Sequence, residues 1–254
     1  MLLAAVDENR PLPPRFKPPM WKPLLAFAKH QNIAPLFYSL LERENSMELR
    51  PEKRIIMRFY DSKRQTAAAN AKFNAAATEL TAYFRRHGLR TCILKGQGNA
   101  MMYPDPSARW PGDIDIWVEG GREAVVAFVR SRYPNAEVSG HDVKFPFFND
   151  IKVEVHYTPC YMNNPWHNRQ LQHYFQTHAD EQFNNTCQLP GMSESVSVPT
   201  NSFNRIMQLA HIQIHFFSEG VGLRQVIDYY FLLRRGFTDE ERDTDVKVLK
   251  RLGM

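Results

Sequence analysis

Two short segments of this chain alternate an apolar side chain with an ionisable one: Asp113-Ile114-Asp115-Ile116 and Val153-Glu154-Val155-His156. A period of two is the signature of a strand, on which residues two apart share a face. Asp113 and Asp115 then project together while Ile114 and Ile116 take the other side, and Glu154 and His156 do the same against Val153 and Val155. Aspartate is a poor strand former and neighbouring carboxylates repel, so such a pair needs a compensating cation or generous solvent. If the second segment pairs beside the first, three carboxylates converge on one face.

The rest of the chain frames these segments. Residues 8–23 carry six prolines and read as an extended lead-in. From 21 to 43, Leu24, Leu25, Phe27, Ile33, Leu36, Phe37, Leu40 and Leu41 fit one or two amphipathic helices. A stretch rich in alanine and basic residues, 51–87, predicts a long helix closing on Arg85-Arg86-His87-Gly88. "LRTCILKG", 89–96, reads as a buried strand, followed by a brief helix over 97–102 and a loop with three prolines, 103–112. After "DIDIWVEG", the spacing of Val125, Val126, Phe128 and Val129 predicts a helix over 122–134. "HDVKFPFF" and "IKVEVHYTP" flank Asn149-Asp150 as a hairpin, with Pro146 marking the first arm as an edge strand.

Past Pro159 the pattern weakens until two helices, 202–217 and 223–236, and a charged end, 237–254. A small mixed sheet between helical segments is an α/β or α+β core. The organisation expected is a lead-in and helical segment over 1–88, a sheet core over 89–160 and a helical segment over 161–254.

The balance of 32 basic and 27 acidic residues is mild, compatible with a phosphate-bearing ligand but far from a nucleic-acid-coating composition. Cys92, Cys160 and Cys187 are widely spaced with no CxxC pair, which argues against a disulfide scaffold and a thiolate zinc site, and makes a reducing cytoplasm the default. The first residues carry no basic leader and no run approaches membrane-spanning length, so neither a signal peptide nor a membrane partner is expected. No GxSxG, Walker loop or GxGxxG is present.

Three convergent carboxylates suit a pair of magnesium ions, which take oxygen ligands and share their remaining positions with substrate phosphates. Upstream, a strand ending in Lys95-Gly96 and opening into a helix places free backbone N–H groups where a triphosphate could sit. Glycine there permits close approach, and Lys95 and Arg109 could meet phosphate oxygens, the arginine through two parallel bonds. Arg224 and Asp228 share a helix face at the spacing of an ion pair. His211 and His215 lack a third ligand and read as core or interface histidines; Phe216, Phe217, Tyr229, Tyr230 and Phe231 read as core.

The order strand, Lys-Gly, helix, Arg, Asp-x-Asp strand and hairpin with Glu resembles the nucleotidyltransferase superfamily, the fold shared with DNA polymerase β. More narrowly, "LKG…YPDPSARWPGDIDIWV", "VEVHYTP" and "HFFSEGVGLRQVIDYYFLL" resemble the family of bacterial uncharacterised nucleotidyltransferases, across roughly residues 20–254. The resemblance implies a polymerase β-like core with helical flanks. It implies Asp113, Asp115 and Glu154 as catalytic ligands of Mg²⁺ or Mn²⁺, with Lys95, Gly96, Gln97, Arg109 and Arg224 around the nucleotide. The implied reaction moves a nucleoside monophosphate from a nucleoside triphosphate to an acceptor that is a sugar, a metabolite, a protein or an RNA. The chain has Gly96-Gln97 where the superfamily has Gly-Gly or Gly-Ser, and similar chains often run on, so Met254 is expected to be a boundary inside a longer protein. Two other classes stay open: a catalytically inert nucleotide-binding scaffold, and an RNA-binding module using the basic residues between Lys53 and Arg64 with Arg85 and Arg86.

Overall fold

The computed structural model describes every residue except 45, 47 and 219. It opens with α1 (Leu2–Val6), α2 (Trp21–His30) and α3 (Ala34–Arg43), so the stretch expected to hold one or two helices holds two. α4 (Lys53–Arg86) is a single helix of 34 residues, about 50 Å long. β1 (Thr91–Ile93), α5 (Gly96–Ala100), β2 (Ile114–Val118), α6 (Gly121–Arg130), β3 (Asp142–Lys144) and β4 (Val153–His156) follow. α7 (Pro165–Thr177), α8 (Ala179–Asn184), the strands β5 (Thr186–Gln188) and β6 (Ser195–Ser197), and the helices α9 (Asn201–Ser218), α10 (Leu223–Arg234) and α11 (Asp239–Arg251) complete the chain.

The main sheet has the order β1-β2-β4-β3; β2 and β4 run parallel, and both outer pairs are antiparallel. β3 lies at the edge, and its link to β4 occupies residues 145–152 rather than a tight turn on Asn149-Asp150. Register sets the site: Asp115 stands opposite Glu154, which stands opposite Lys144, while Trp117, His156 and Asp142 form the next row.

One face of this sheet is dry. Ile114, Ile116, Val118, Val143, Val153 and Val155 pack with Ala77, Leu80 and Phe84 of α4 and Val125 and Val129 of α6. Each such side chain contributes roughly 1.5–3 kcal/mol on burial, which fixes the register because a slip by one residue would put the carboxylates into this core. On the other face, Cys92, Leu94 and Trp117 pack against Leu171 and Phe175 of α7, Phe183 of α8 and Phe203, Ile206 and Met207 of α9. On the same face Asp115 and Glu154 border a cavity, and His156 is fully buried. A third cluster joins α1, α2 and α3 to Phe59 of α4 and to Ile227 and Phe231 of α10.

Two side-chain expectations change. Phe216 and Phe217 are 69% and 72% exposed rather than core, because α9 turns Phe203, Ile206, Met207 and Ala210 inward and its last turn runs past the cover. No described helix is long and apolar enough to cross a membrane.

Candidate active site

β2 and β4 carry Asp115 and Glu154 to the floor of a cavity of about 520 Å³ that Asp113, Lys95, Gly96, Lys144, Lys152, His211 and Arg224 also line, with His156 buried behind Asp115. A groove of about 720 Å³ beside the 145–152 loop is larger, but none of the three expected catalytic carboxylates reaches it. The charge predicted to accompany the paired aspartates is supplied by lysines. Lys95 Nζ lies 3.0 Å from Asp115 Oδ1, Lys152 Nζ lies 2.7 Å from Glu154 Oε1 and 4.0 Å from Asp113 Oδ2, and Lys144 Nζ also donates to Glu154 Oε1.

Electrostatics separate the carboxylates. Burial pushes Asp115 up, but Lys95 and the hydrogen bond from His156 outweigh it and hold the group well below the usual carboxylate range. Burial and the Asp115 charge push Asp113 the other way. Glu154 is held low against burial by Lys144 and Lys152. Lys95 is raised despite burial because Asp115 and Asp113 face it.

The Lys95-Gly96 turn starts α5 beside this floor. Gly96 has φ +39°, a region few L side chains adopt, and a Cβ there would lie 3.5 Å from the Asp113 carbonyl oxygen. Arg224 reaches across from α10, with Nη1 donating to the Trp110 carbonyl at 3.2 Å, and its guanidinium packs over Gly112. Among the described residues no ion pair of Arg224 is formed.

Lys95, Gly96, Asp113, Asp115, Glu154 and Arg224 therefore gather in one place, and two expected nucleotide contacts depart from it. Gln97 is buried away from the cavity: its Nε2 donates to Asn70 Oδ1 at 3.2 Å and to Asn74 Oδ1, both on α4. As the second residue of α5 it faces the long helix. Arg109 touches the cavity wall, but its guanidinium is 4% exposed and held by both oxygens of Asp228, at 2.8 and 2.7 Å. Tyr103 donates to the same carboxylate at 2.6 Å and Asn99 at 3.3 Å, so Asp228 pairs with Arg109 rather than with Arg224. Asn70 also donates to the Ser107 and Arg109 carbonyls, at 3.1 and 2.7 Å. The loop leading to Asp113 is thus clamped by α4 and α10.

Several site residues lay outside the sequence-based set. His156 is fully buried, and its Nε2 donates to Asp115 Oδ1 at 2.9 Å; its alternation with Glu154 already placed it on this face. Asp142-Val143-Lys144 has the same period of two, which would have found Lys144. His211 reads as core from sequence, yet its Nε2 accepts from Lys95 Nζ at 3.0 Å and lies 3.1 Å from His215 Nε2. Burial, Lys95 and His215 hold His211 well below the usual histidine range, as befits a neutral acceptor.

A mixed four-stranded sheet that presents acidic residues of two parallel neighbours beside a Lys-Gly turn has the architecture of a nucleotidyltransferase. The chain matches the family described as Uncharacterised nucleotidyltransferase over residues 17–254 and belongs to it. Among solved structures it is similar to an antigenic nucleotidyltransferase-like protein from Paracoccidioides brasiliensis, at 12% identity and a TM-score of 0.38, covering 69% of this chain and 86% of that one. A search of curated proteins gives no match.

Proposed function

We propose that this protein transfers a nucleoside monophosphate from a nucleoside triphosphate to an acceptor. The observation that carries the reading is the convergence of Asp115 and Glu154, from adjacent parallel strands, and Asp113, just ahead of β2, on one cavity that also presents Lys95, Gly96 and Arg224. The carboxylate-rich donor set fits Mg²⁺ or Mn²⁺, which these three residues would hold. Bound there, the metal would activate the attacking oxygen and stabilise the departing pyrophosphate.

The chain's own groups supply the rest. Arg224 offers a planar fork of donors that makes no ion pair among the described residues and suits phosphate oxygens. Lys95, poised between Asp115 and His211, provides a second cation that can turn from the carboxylate to a phosphate once a metal takes its place. Gly96 leaves room for a phosphate against the backbone. The bond from the acceptor oxygen to the α-phosphorus forms as the bond to pyrophosphate breaks.

A second reading is favoured by the lysines: Lys95, Lys144 and Lys152 already neutralise the carboxylates, as a catalytically inert nucleotide-binding protein would need. Calorimetric titration of each nucleoside triphosphate, with and without Mg²⁺, into the wild type and Asp113→Asn separates the two. Transfer predicts metal-dependent binding that the variant loses. Binding that ignores both metal and Asp113 would favour the inert protein.

A further inference from the structure

We infer that His156 is itself a metal ligand, so that the ion between β2 and β4 is held by Asp115, Glu154 and His156, a mixed nitrogen–oxygen set that selects manganese-class ions over magnesium. The inference rests on the nucleotidyl-transfer reading and adds to it a residue and a metal class. Among the described residues, one ligand atom from each of these three side chains lies within 4.8 Å of the others, and Asp113 is outside that group. His156 Nε2 is 2.9 Å from Asp115 Oδ1 and 3.9 Å from Glu154 Oε2. Atoms bound about 2.1 Å from one ion lie about 3 Å apart when adjacent and about 4 Å apart when opposite, so a small rotation of the side chains closes the shell.

Asp113 is placed differently. Its side chain is 36% exposed and its nearest cation is Lys152 at 4.0 Å. It is therefore the group left to face substrate or a second ion, while the buried trio forms the tighter site.

A second, independent observation comes from the far side of the imidazole. His156 is fully buried, and its Nδ1 makes no hydrogen bond among the described residues. A histidine bound to metal through Nε2 carries its proton on Nδ1 and needs an acceptor there, commonly a carboxylate. Asp142 stands directly opposite His156 in the β3–β4 register, and its Oδ1 is buried without a hydrogen bond. Asp142 Oδ1 has Lys144 Nζ at 3.4 Å as an ion-pair partner, whereas the buried His156 Nδ1 on the facing strand has no partner, and metal ligation at Nε2 would put a proton on that nitrogen on the side of this carboxylate. Magnesium favours an all-oxygen shell, whereas an imidazole nitrogen suits transition metals, of which manganese is the one that also accepts a carboxylate-rich site.

The test is Mn²⁺ binding followed by electron paramagnetic resonance, with pulsed detection of nitrogen bonded directly to the ion. The wild type is expected to show one coordinated imidazole nitrogen, retained in His141→Gln and His211→Gln and lost in His156→Gln. Mg²⁺ should displace Mn²⁺ only at about tenfold excess or more in the wild type, and near equality in His156→Gln. Should His156→Gln fail to fold, wild-type protein labelled with ¹⁵N-histidine still decides, because a coordinated imidazole changes the coupling. A manganese shell without nitrogen overturns His156 as a ligand and leaves nucleotidyl transfer standing. Failure of Mn²⁺ and Mg²⁺ to bind, with and without ATP, overturns both.

Discussion

Arg109 and Asp228, separated by 119 residues of sequence, meet as a buried two-pronged ion pair with N···O distances of 2.8 and 2.7 Å. The pair ties the loop before β2 to α10 and so holds the segment that carries Asp113 into the strand at Ile114. Removing one partner leaves the other charge buried alone, which costs about 3–5 kcal/mol. Asp228→Ala and Arg109→Ala should each lower the urea unfolding midpoint by that equivalent. Arg109→Lys should recover little, because an ammonium cannot span both oxygens.

The same pair sets an acid limit. Burial pushes Asp228 up, but Arg109, Tyr103 and Asn99 outweigh it and hold the carboxyl below its ordinary value. A carboxylate depressed in the folded state binds its proton more readily when unfolded, so its stabilisation is complete above the unfolded pKa, about 4, and is lost as pH falls through the folded value. Unfolding free energy measured from pH 6 downward should fall below about pH 4, and fall less in Arg109→Met/Asp228→Leu.

Asp113→Asn and Asp115→Asn should both abolish metal-dependent transfer, but with different effects on stability. Asp113 is partly exposed, and its variant should melt near the wild type. Asp115 is 4% exposed and neutralises Lys95, so Asp115→Asn should lose stability as well, by about 3 kcal/mol. Turnover retained in both variants, read as pyrophosphate release, would remove these residues from the mechanism.

Arg224→Ala should weaken nucleoside triphosphate binding about tenfold, as expected for losing a charged hydrogen-bond donor, with little change in melting temperature. Among the described residues its side chain donates to the Trp110 carbonyl alone. Gly112→Ala should mimic it in part, since the new Cβ would lie 3.2 Å from the Arg224 guanidinium.

Gln97→Leu tests the opposite case. It leaves the Asn70 and Asn74 side-chain oxygens short of a donor, at about 1–3 kcal/mol, yet touches no cavity group. Thermal stability should fall while nucleotide affinity holds.

What the sequence made legible follows periodicity. Asp113-Ile114-Asp115-Ile116 and Val153-Glu154-Val155-His156 each span enough alternations to fix a face, and one face shared by neighbouring strands is already a site. β5 and β6 have only three residues each, mostly polar, and α7 carries just Leu171 and Phe175 into the core, so neither stood out. The destinations of Gln97 and Arg109 were hidden for another reason. Their partners, Asn70 and Asp228, are distant in sequence, and no local spacing encodes which of two nearby helices a side chain will meet.

The continuous α4 makes the site sensitive to a length it does not display. From Phe59, among the first helices, to Asn70 and Asn74, behind the Lys95-Gly96 turn, the helix has no break. One residue inserted between them would rotate everything beyond by about 100°, swinging both asparagines off Gln97 and the Ser107–Arg109 loop. Helical phase, counted from the first helices, therefore governs how the Lys95-Gly96 turn and the loop before β2 are seated.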